Sequence, residues 1–155
     1  MARLTKNYIP LNEFDEHDNR MWEYMYKLFD ETVEKSGIQD NDKLWEQLSR
    51  PQKVFWAFLA FNGDTDNGGV DQFVYNRPKF IYRVLETWEE LKIEELKTDY
   101  DFILSELKKR KNKNGMLKSV LKLEEYYYDK EYKRKIYKIV SDYIESNIEM
   151  FAIIT

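Results

Sequence analysis

Several residue types are scarce in this 155-residue chain, and each shortage excludes a class of chemistry. The chain contains no cysteine, which excludes disulfides, thiolate metal sites and cysteine nucleophiles. Its one histidine, His17, lies among acidic residues with no serine nearby, which argues against a catalytic triad. No stretch approaches the ~18 consecutive apolar residues of a membrane span, and residues 1–10 lack the apolar core of a signal peptide. The sequence therefore predicts a soluble, cytoplasmic protein that is not an enzyme.

Aromatic residues, by contrast, are abundant. They make up 16% of the chain, which argues against disorder and for a core built on rings. The length suits one domain that buries roughly 70% of its unfolded surface. We predict a single domain over residues 1–155, with an irregular lead-in at 1–19 and a basic connector at 108–115.

Charge is distributed unevenly along the chain. Residues 1–107 carry 13 basic and 22 acidic side chains, whereas residues 108–138 carry 12 basic and 4 acidic ones. The net charge of −4 hides this separation. Such asymmetry can steer partners, or it can draw two parts of one fold together.

Apolar spacing predicts helices throughout the chain and an all-α fold. A first helix is expected before Gly37, a short one capped by Asp40, and a central buried one over the apolar run 54–61, which begins at a capping box formed by Ser49 and Gln52. Residues 80–91 have the clearest amphipathic pattern, and Thr98 or Asp99 is expected to cap the next helix. A long C-terminal helix should follow residue 116, with a break near Asp129 left open.

Residues 62–69 contain three of the five glycines of the chain. Glycine adopts positive φ without a Cβ clash, and Asn and Asp favour turns, so the segment is expected to be a turn that no helix passes through. We interpret it as structural, with side chains that bond turn amides and buried backbone groups. The residues of this motif are Asp64, Asn67, Gly68, Gly69, Gln72, Phe73 and Asn76.

A glycine-rich segment with several Asn and Asp residues could also be a calcium loop or a phosphate loop, but the spacing of this segment argues against both. Counting from Asp64 places Tyr75 at the twelfth position, where a calcium loop requires a bidentate glutamate, and counting from Asn62 places Phe73 there. The Lys-Ser/Thr pair of a phosphate loop does not follow Gly68-Gly69. No metal or cofactor is therefore predicted.

The motif also resembles a known family. Asp64, Asn67-Gly68-Gly69, Gln72-Phe73 and Asn76, with the run-in 51–55, resemble a bacterial family of unknown function that includes a DNA-mimic protein. The resemblance covers about residues 49–91. It implies that carboxylates stand in place of phosphates and bind a DNA-binding protein, such as a regulator. The acids that could supply such faces are Glu13, Asp15, Glu16, Asp18, Glu86, Glu89, Glu90, Glu94 and Glu95.

Other functions compete with this hypothesis. The basic, tyrosine-rich segment 108–138 could neutralise phosphates and stack on bases, which is typical of nucleic-acid binding. A small acidic domain could also neutralise a toxin, as immunity-type proteins do. Separately, the apolar segment 150–154 is expected to dock on the core or to mediate a homodimer.

Overall fold

The computed structural model describes residues 36–110 and 117–147, together with residues 34 and 150. The expected first helix lies mainly outside these residues, as do the lead-in and most of the connector. In the described ranges all regular structure is helical, which confirms the all-α fold class. The elements are α1 (Asn41–Gln47), α2 (Arg50–Asn76), a 3₁₀ helix (Pro78–Phe80), α3 (Ile81–Glu90), α4 (Glu94–Lys109), α5 (Val120–Tyr127) and α6 (Lys130–Ser146).

The chain divides into two compact units. Unit 1 comprises residues 1–56 and 134–155, and unit 2 comprises residues 57–133. The single domain expected over residues 1–155 stays a prediction.

In unit 1 the predicted helix starts are confirmed. Asp40 Oδ1 accepts hydrogen bonds from the amides of Asp42 (2.9 Å) and Lys43 (3.0 Å), and so caps α1. The Ser49 amide donates to Gln52 Oε1 at 2.9 Å, and the Gln52 amide donates to Ser49 Oγ at 3.3 Å. This reciprocal capping box starts α2 because it satisfies two amides that have no partner inside the helix.

The C-terminal apolar segment is described only at Met150. Its carbonyl accepts a hydrogen bond of 2.7 Å from the Ser49 hydroxyl. Residues 151–155 lie outside the described part, so docking or self-association through 150–154 stays a prediction.

The apolar run is buried, as expected of a central helix. Its members in unit 2, residues 57–61, are at most 7% exposed. Phe61 has no exposed surface, and its ring centroid lies 5.1 Å from Phe73, 5.3 Å from Trp88, 6.1 Å from Tyr100 and 5.2 Å from Tyr127. All four pairs are edge-to-face, the arrangement that aromatic quadrupoles prefer. One ring therefore joins the second part of α2 to α3, α4 and α5.

The turn expected over residues 62–69 is shorter than predicted. Residues 62–67 continue α2, and only Gly68 (φ −156°, ψ 17°) and Gly69 (φ 86°, ψ 171°) leave helical geometry. The expectation that no helix passes through the segment is confirmed at Gly68 and Gly69, where two helical parts meet at a kink, but the expected turn was too long because residues 62–67 are helical. Of these two glycines, Gly69 has the positive φ that favours glycine.

The boundaries of α4, α5 and α6 differ from those predicted from the sequence. The long C-terminal helix expected after residue 116 is instead two helices, α5 and α6, which are separated at Tyr128 and Asp129, where a break was left open. The prediction that Thr98 or Asp99 caps the next helix was wrong. α4 begins at Glu94, so both residues lie inside the helix.

The turn between α3 and α4 explains this error. The amide of Ile93 donates to the Trp88 carbonyl at 3.0 Å, and the amide of Lys92 donates to the Glu89 carbonyl at 3.1 Å. These two bonds define a Schellman motif, whose residue after the C-cap adopts left-handed geometry. That residue is Lys92, with φ 58°, and lysine gives no turn signal in a sequence.

Replacing Lys92 with glycine should stabilise the protein. A side chain in left-handed geometry is strained, and glycine removes that strain, so Lys92→Gly should raise the free energy of unfolding by about 1 kcal/mol. Lys97→Gly is the matched control, because the same change inside α4 should lower it by about 1 kcal/mol. Urea denaturation of both variants measures the difference. Equal effects of the two changes would contradict the assignment.

Candidate protein-binding surface

Five predicted carboxylates lie together around the turn between α3 and α4. Residues 86–95 hold five acids and one lysine. The side chain of Glu90 is half-buried, and the other four residues are exposed. We call this set the acidic face; its members are Glu86, Glu89, Glu90, Glu94 and Glu95.

Helix geometry explains how the face forms. Glu86, Glu89 and Glu90 are three and four residues apart, so they share one side of α3. Glu94 and Glu95 occupy the first turn of α4, where the helix dipole favours negative charge. Lys97 Nζ lies 3.9 Å from Glu89 Oε1, and both side chains are more than one-third exposed, so this ion pair is weak. The face thus keeps a net negative charge.

Tyrosines from the C-terminal part of unit 2 fix the end of the acidic face. Tyr132 donates its hydroxyl to Glu95 Oε1 at 2.9 Å. Tyr126 donates to Asp99 Oδ2 at 2.6 Å, and Lys122 Nζ lies 3.1 Å from the other oxygen of that buried carboxylate. These bonds hold Glu95, at one end of the acidic face, and Asp99, one turn further along α4.

The same contacts keep the tyrosines protonated. Burial raises the pKa of Tyr126 and Tyr132, and the hydrogen bonds to Asp99 and Glu95 raise it further because a phenolate beside a carboxylate is repelled. Burial also raises the pKa of Tyr128 to about 12. Folding therefore favours the neutral form of each hydroxyl.

Stability should consequently fall at alkaline pH. The ordinary tyrosine pKa is 10.0, so the stability that a raised pKa gives is complete below pH 10 and is lost as the pH rises above it. Burial lowers the pKa of Lys133, which acts in the opposite direction, but the raised tyrosines are more numerous. Tyr132→Phe should reduce the loss of unfolding free energy between about pH 9 and about pH 11.

Urea denaturation across this pH range measures the effect. Tyr75→Phe is the control, since Tyr75 is 80% exposed. A Tyr132→Phe variant that loses stability as steeply as the wild type and the control would contradict the role given to these hydroxyls.

The residues of the glycine motif do not converge on one site. Asp64 Oδ2 accepts from Arg77 Nε at 3.1 Å, so the expected bond to a turn amide is replaced by an ion pair. Asn67 and Asn76 are exposed, and Phe73 is fully buried beside Phe61. The side chain of Gln72 covers Gly68 so closely that an added Cβ would meet Gln72 Oε1 at 1.7 Å.

Acidic side chains of unit 2 form hydrogen bonds next to the break in α2. The amide of Val70, the first after the two glycines, donates to Glu124 Oε1 at 2.9 Å. An added Cβ on Gly69 would lie 3.1 Å from the same oxygen, so the carboxylate also limits the space there. Asp71 Oδ1 accepts from the Leu117 amide at 3.3 Å. The glycines thus act as a docking point for α5.

Asn62 and Lys133 were missed by the sequence analysis. Lys133 Nζ lies 2.6 Å from both Asn62 Oδ1 and Asp66 Oδ1, and 4.0 Å from the centre of the Tyr127 ring. Tyr127 donates its hydroxyl to the same Asn62 oxygen at 2.9 Å. Asn62 has no exposed surface, so its carbonyl is a buried acceptor for two groups. Asn62 and Lys133 are 71 positions apart in the sequence, so no local pattern could reveal this pair.

Removing that acceptor should destabilise the fold. Asn62→Leu keeps the branched shape of the side chain but leaves the Tyr127 hydroxyl and the Lys133 ammonium without their shared partner, which should cost about 2–4 kcal/mol. Asn67→Leu makes the same change at an exposed position and should alter stability by less than about 0.5 kcal/mol. Chemical denaturation measures both. Equal losses would show that the buried acceptor is unimportant.

The remaining predictions concern the N-terminal acids, metal binding and membrane spans. Glu13, Asp15, Glu16, Asp18 and His17 lie outside the described residues. Among the residues that the structure describes, no group of three or more His, Cys, Asp or Glu side chains could hold a metal. No helix in the same ranges is long and apolar enough to cross a membrane.

Tyrosines of the basic segment 108–138 form hydrogen bonds within unit 2. Tyr127 is buried, and the hydroxyls of Tyr126, Tyr128 and Tyr132 bond to Asp99, the Thr65 carbonyl and Glu95. Lys133 is bonded to Asn62 and Asp66 as described above. These tyrosine hydroxyls and Lys133 thus contribute to packing in unit 2, whereas Lys108, Lys109 and Lys118 of the same segment are exposed.

Comparison with known proteins places the chain in a family. A family model described as "DMP19-like protein" matches residues 46–147, about two-thirds of the chain. The chain belongs to the DMP19-like protein family. The match contains the glycine motif, the acidic face and the tyrosines that fix it. Neither a curated protein nor a solved structure matches the chain.

Proposed function

We propose that this member of the DMP19-like family is a non-enzymatic, DNA-mimic-type protein whose acidic face binds the DNA-contacting surface of another protein. One observation carries the proposal: five carboxylates lie within ten residues on α3 and the first turn of α4, with one lysine among them. Membership of the family supports it.

The physical requirement for mimicry is a fixed row of negative charge. A DNA-binding protein gains much of its affinity from cations that neutralise phosphates, and closely spaced carboxylates can engage the same cations. The α3–α4 turn fixes the spacing through the Schellman motif, and Tyr132 holds Glu95. Pre-ordered side chains lose less entropy on binding, which favours affinity.

Displacement from DNA tests the proposal. DNA-binding proteins from a cell extract are loaded on immobilised duplex DNA, and the purified chain is then added. The wild type should elute a DNA-binding protein, and elution should fall as salt rises because the contact is electrostatic. The triple change Glu86→Gln, Glu89→Gln and Glu94→Gln should weaken elution at least about tenfold.

A charge-matched control separates the face from net charge. The exposed residues Glu34, Glu46 and Glu125 are outside the segment 86–95, and replacing all three with Gln removes the same charge. This control should elute like the wild type. Failure of the wild type to displace any protein, or equal loss in both triple variants, would contradict mimicry. A gel shift with random oligonucleotides should show no retention, and clear retention would favour direct nucleic-acid binding instead.

A further inference from the structure

Unit 2 carries a second exposed surface, whose charge is opposite to that of the acidic face. It lies on the last turns of α4 and the beginning of α5. Its centre is apolar: Phe102 and Leu121 are each 55% exposed. We call it the basic apolar face, formed by Phe102, Lys109, Lys118, Leu121 and Lys122.

Contacts between the two helices bring these residues together. Glu106 of α4 accepts hydrogen bonds from the amides of Lys118 and Ser119, the latter at 3.0 Å, and so caps the start of α5. One turn earlier on α4, the Phe102 ring faces Lys122 Nζ at 5.5 Å. Leu121 lies between Lys118 and Lys122 on the exposed side. The face is therefore held by a carboxylate cap and a cation–π contact.

The charge of this region is positive. Residues 101–110 and 117–122 contain five basic side chains and two acidic ones, Asp101 and Glu106. Glu106 is bonded to the amides that start α5, and the Lys122 ammonium lies 3.1 Å from the buried Asp99 carboxylate. Lys108, Lys109 and Lys118 are exposed. The helix segments that carry the apolar pair therefore also carry exposed lysines.

We infer that the basic apolar face binds an acidic, amphipathic segment of a partner protein, independently of the acidic face. An exposed apolar centre with a charged rim is the anatomy of a protein interface. Phe102 and Leu121 would contact apolar side chains of the segment, and the lysines would pair with its carboxylates. Charge complementarity makes a segment rich in Glu and Asp the matching occupant.

A protein segment fits this face better than nucleic acid does. Bases need open rings on which to stack, and Phe102 is the one aromatic side chain among the five residues that form the face. Leu121 contributes aliphatic surface that a phosphate backbone does not match. An acidic helix with leucines on one side satisfies both parts of the face.

Fluorescence anisotropy with a designed probe tests this inference. The probe is a labelled synthetic helical peptide with leucines four residues apart on one side and glutamates elsewhere. Saturable, salt-sensitive binding to the full chain is expected. Phe102→Ser with Leu121→Ser should weaken it at least about tenfold, and Lys109→Gln with Lys118→Gln should weaken it and reduce its salt dependence.

Controls keep the outcome interpretable. Tyr75→Ser with Tyr82→Ser alters two other exposed aromatics of unit 2 and should leave binding unchanged. The triple acidic-face variant should also bind the probe, which separates this inference from the proposed function. Circular dichroism checks that each variant is folded. No saturable binding, equal binding by the Phe102/Leu121 variant, or displacement of the probe by single-stranded DNA or anionic vesicles would overturn the inference.

Discussion

The fold of unit 2 depends on the enclosure of one aromatic ring. Phe61 is fully buried and makes edge-to-face contacts with rings from the last part of α2, from α3, from α4 and from α5. Because the last part of α2, α3, α4 and α5 each place one ring against Phe61, these contacts constrain how the helices pack around it. The acidic face lies on two of these helices, so its geometry follows from the aromatic core rather than from the exposed acids.

Polar contacts then determine the register of the helices around that core. Asn62, the residue after Phe61, accepts from Tyr127 and Lys133, and Glu124 closes the break at Val70. Aromatic packing alone tolerates sliding, whereas buried donors and acceptors must match their partners or lose about 1–3 kcal/mol each. The glycine motif therefore contributes to the fold because the break in α2 leaves room for a bonding side chain from another helix, Glu124.

Local chemistry explains which features were predictable. The Ser49–Gln52 box and the Asp40 cap join residues two or three apart, so both could be read from the sequence and are present. The start of α4 was missed because Lys92 adopts a backbone geometry that usually marks glycine. The acids of the acidic face were named in advance. The hydrogen bonds from Tyr126 to Asp99 and from Tyr132 to Glu95 were not predicted, since they span 27 and 37 residues.

The separation of charge on α4 has a structural cause as well as a proposed use. Glu94 and Glu95 occupy its first turn, and Lys108 and Lys109 occupy its last, which is the arrangement that the helix dipole stabilises. Opposite charges at the two ends therefore support the helix even without any partner. Sixteen residues at 1.5 Å each place these ends about 24 Å apart, well beyond the roughly 8 Å over which salt screens charge. One helix can thus present two surfaces of opposite sign that do not cancel each other.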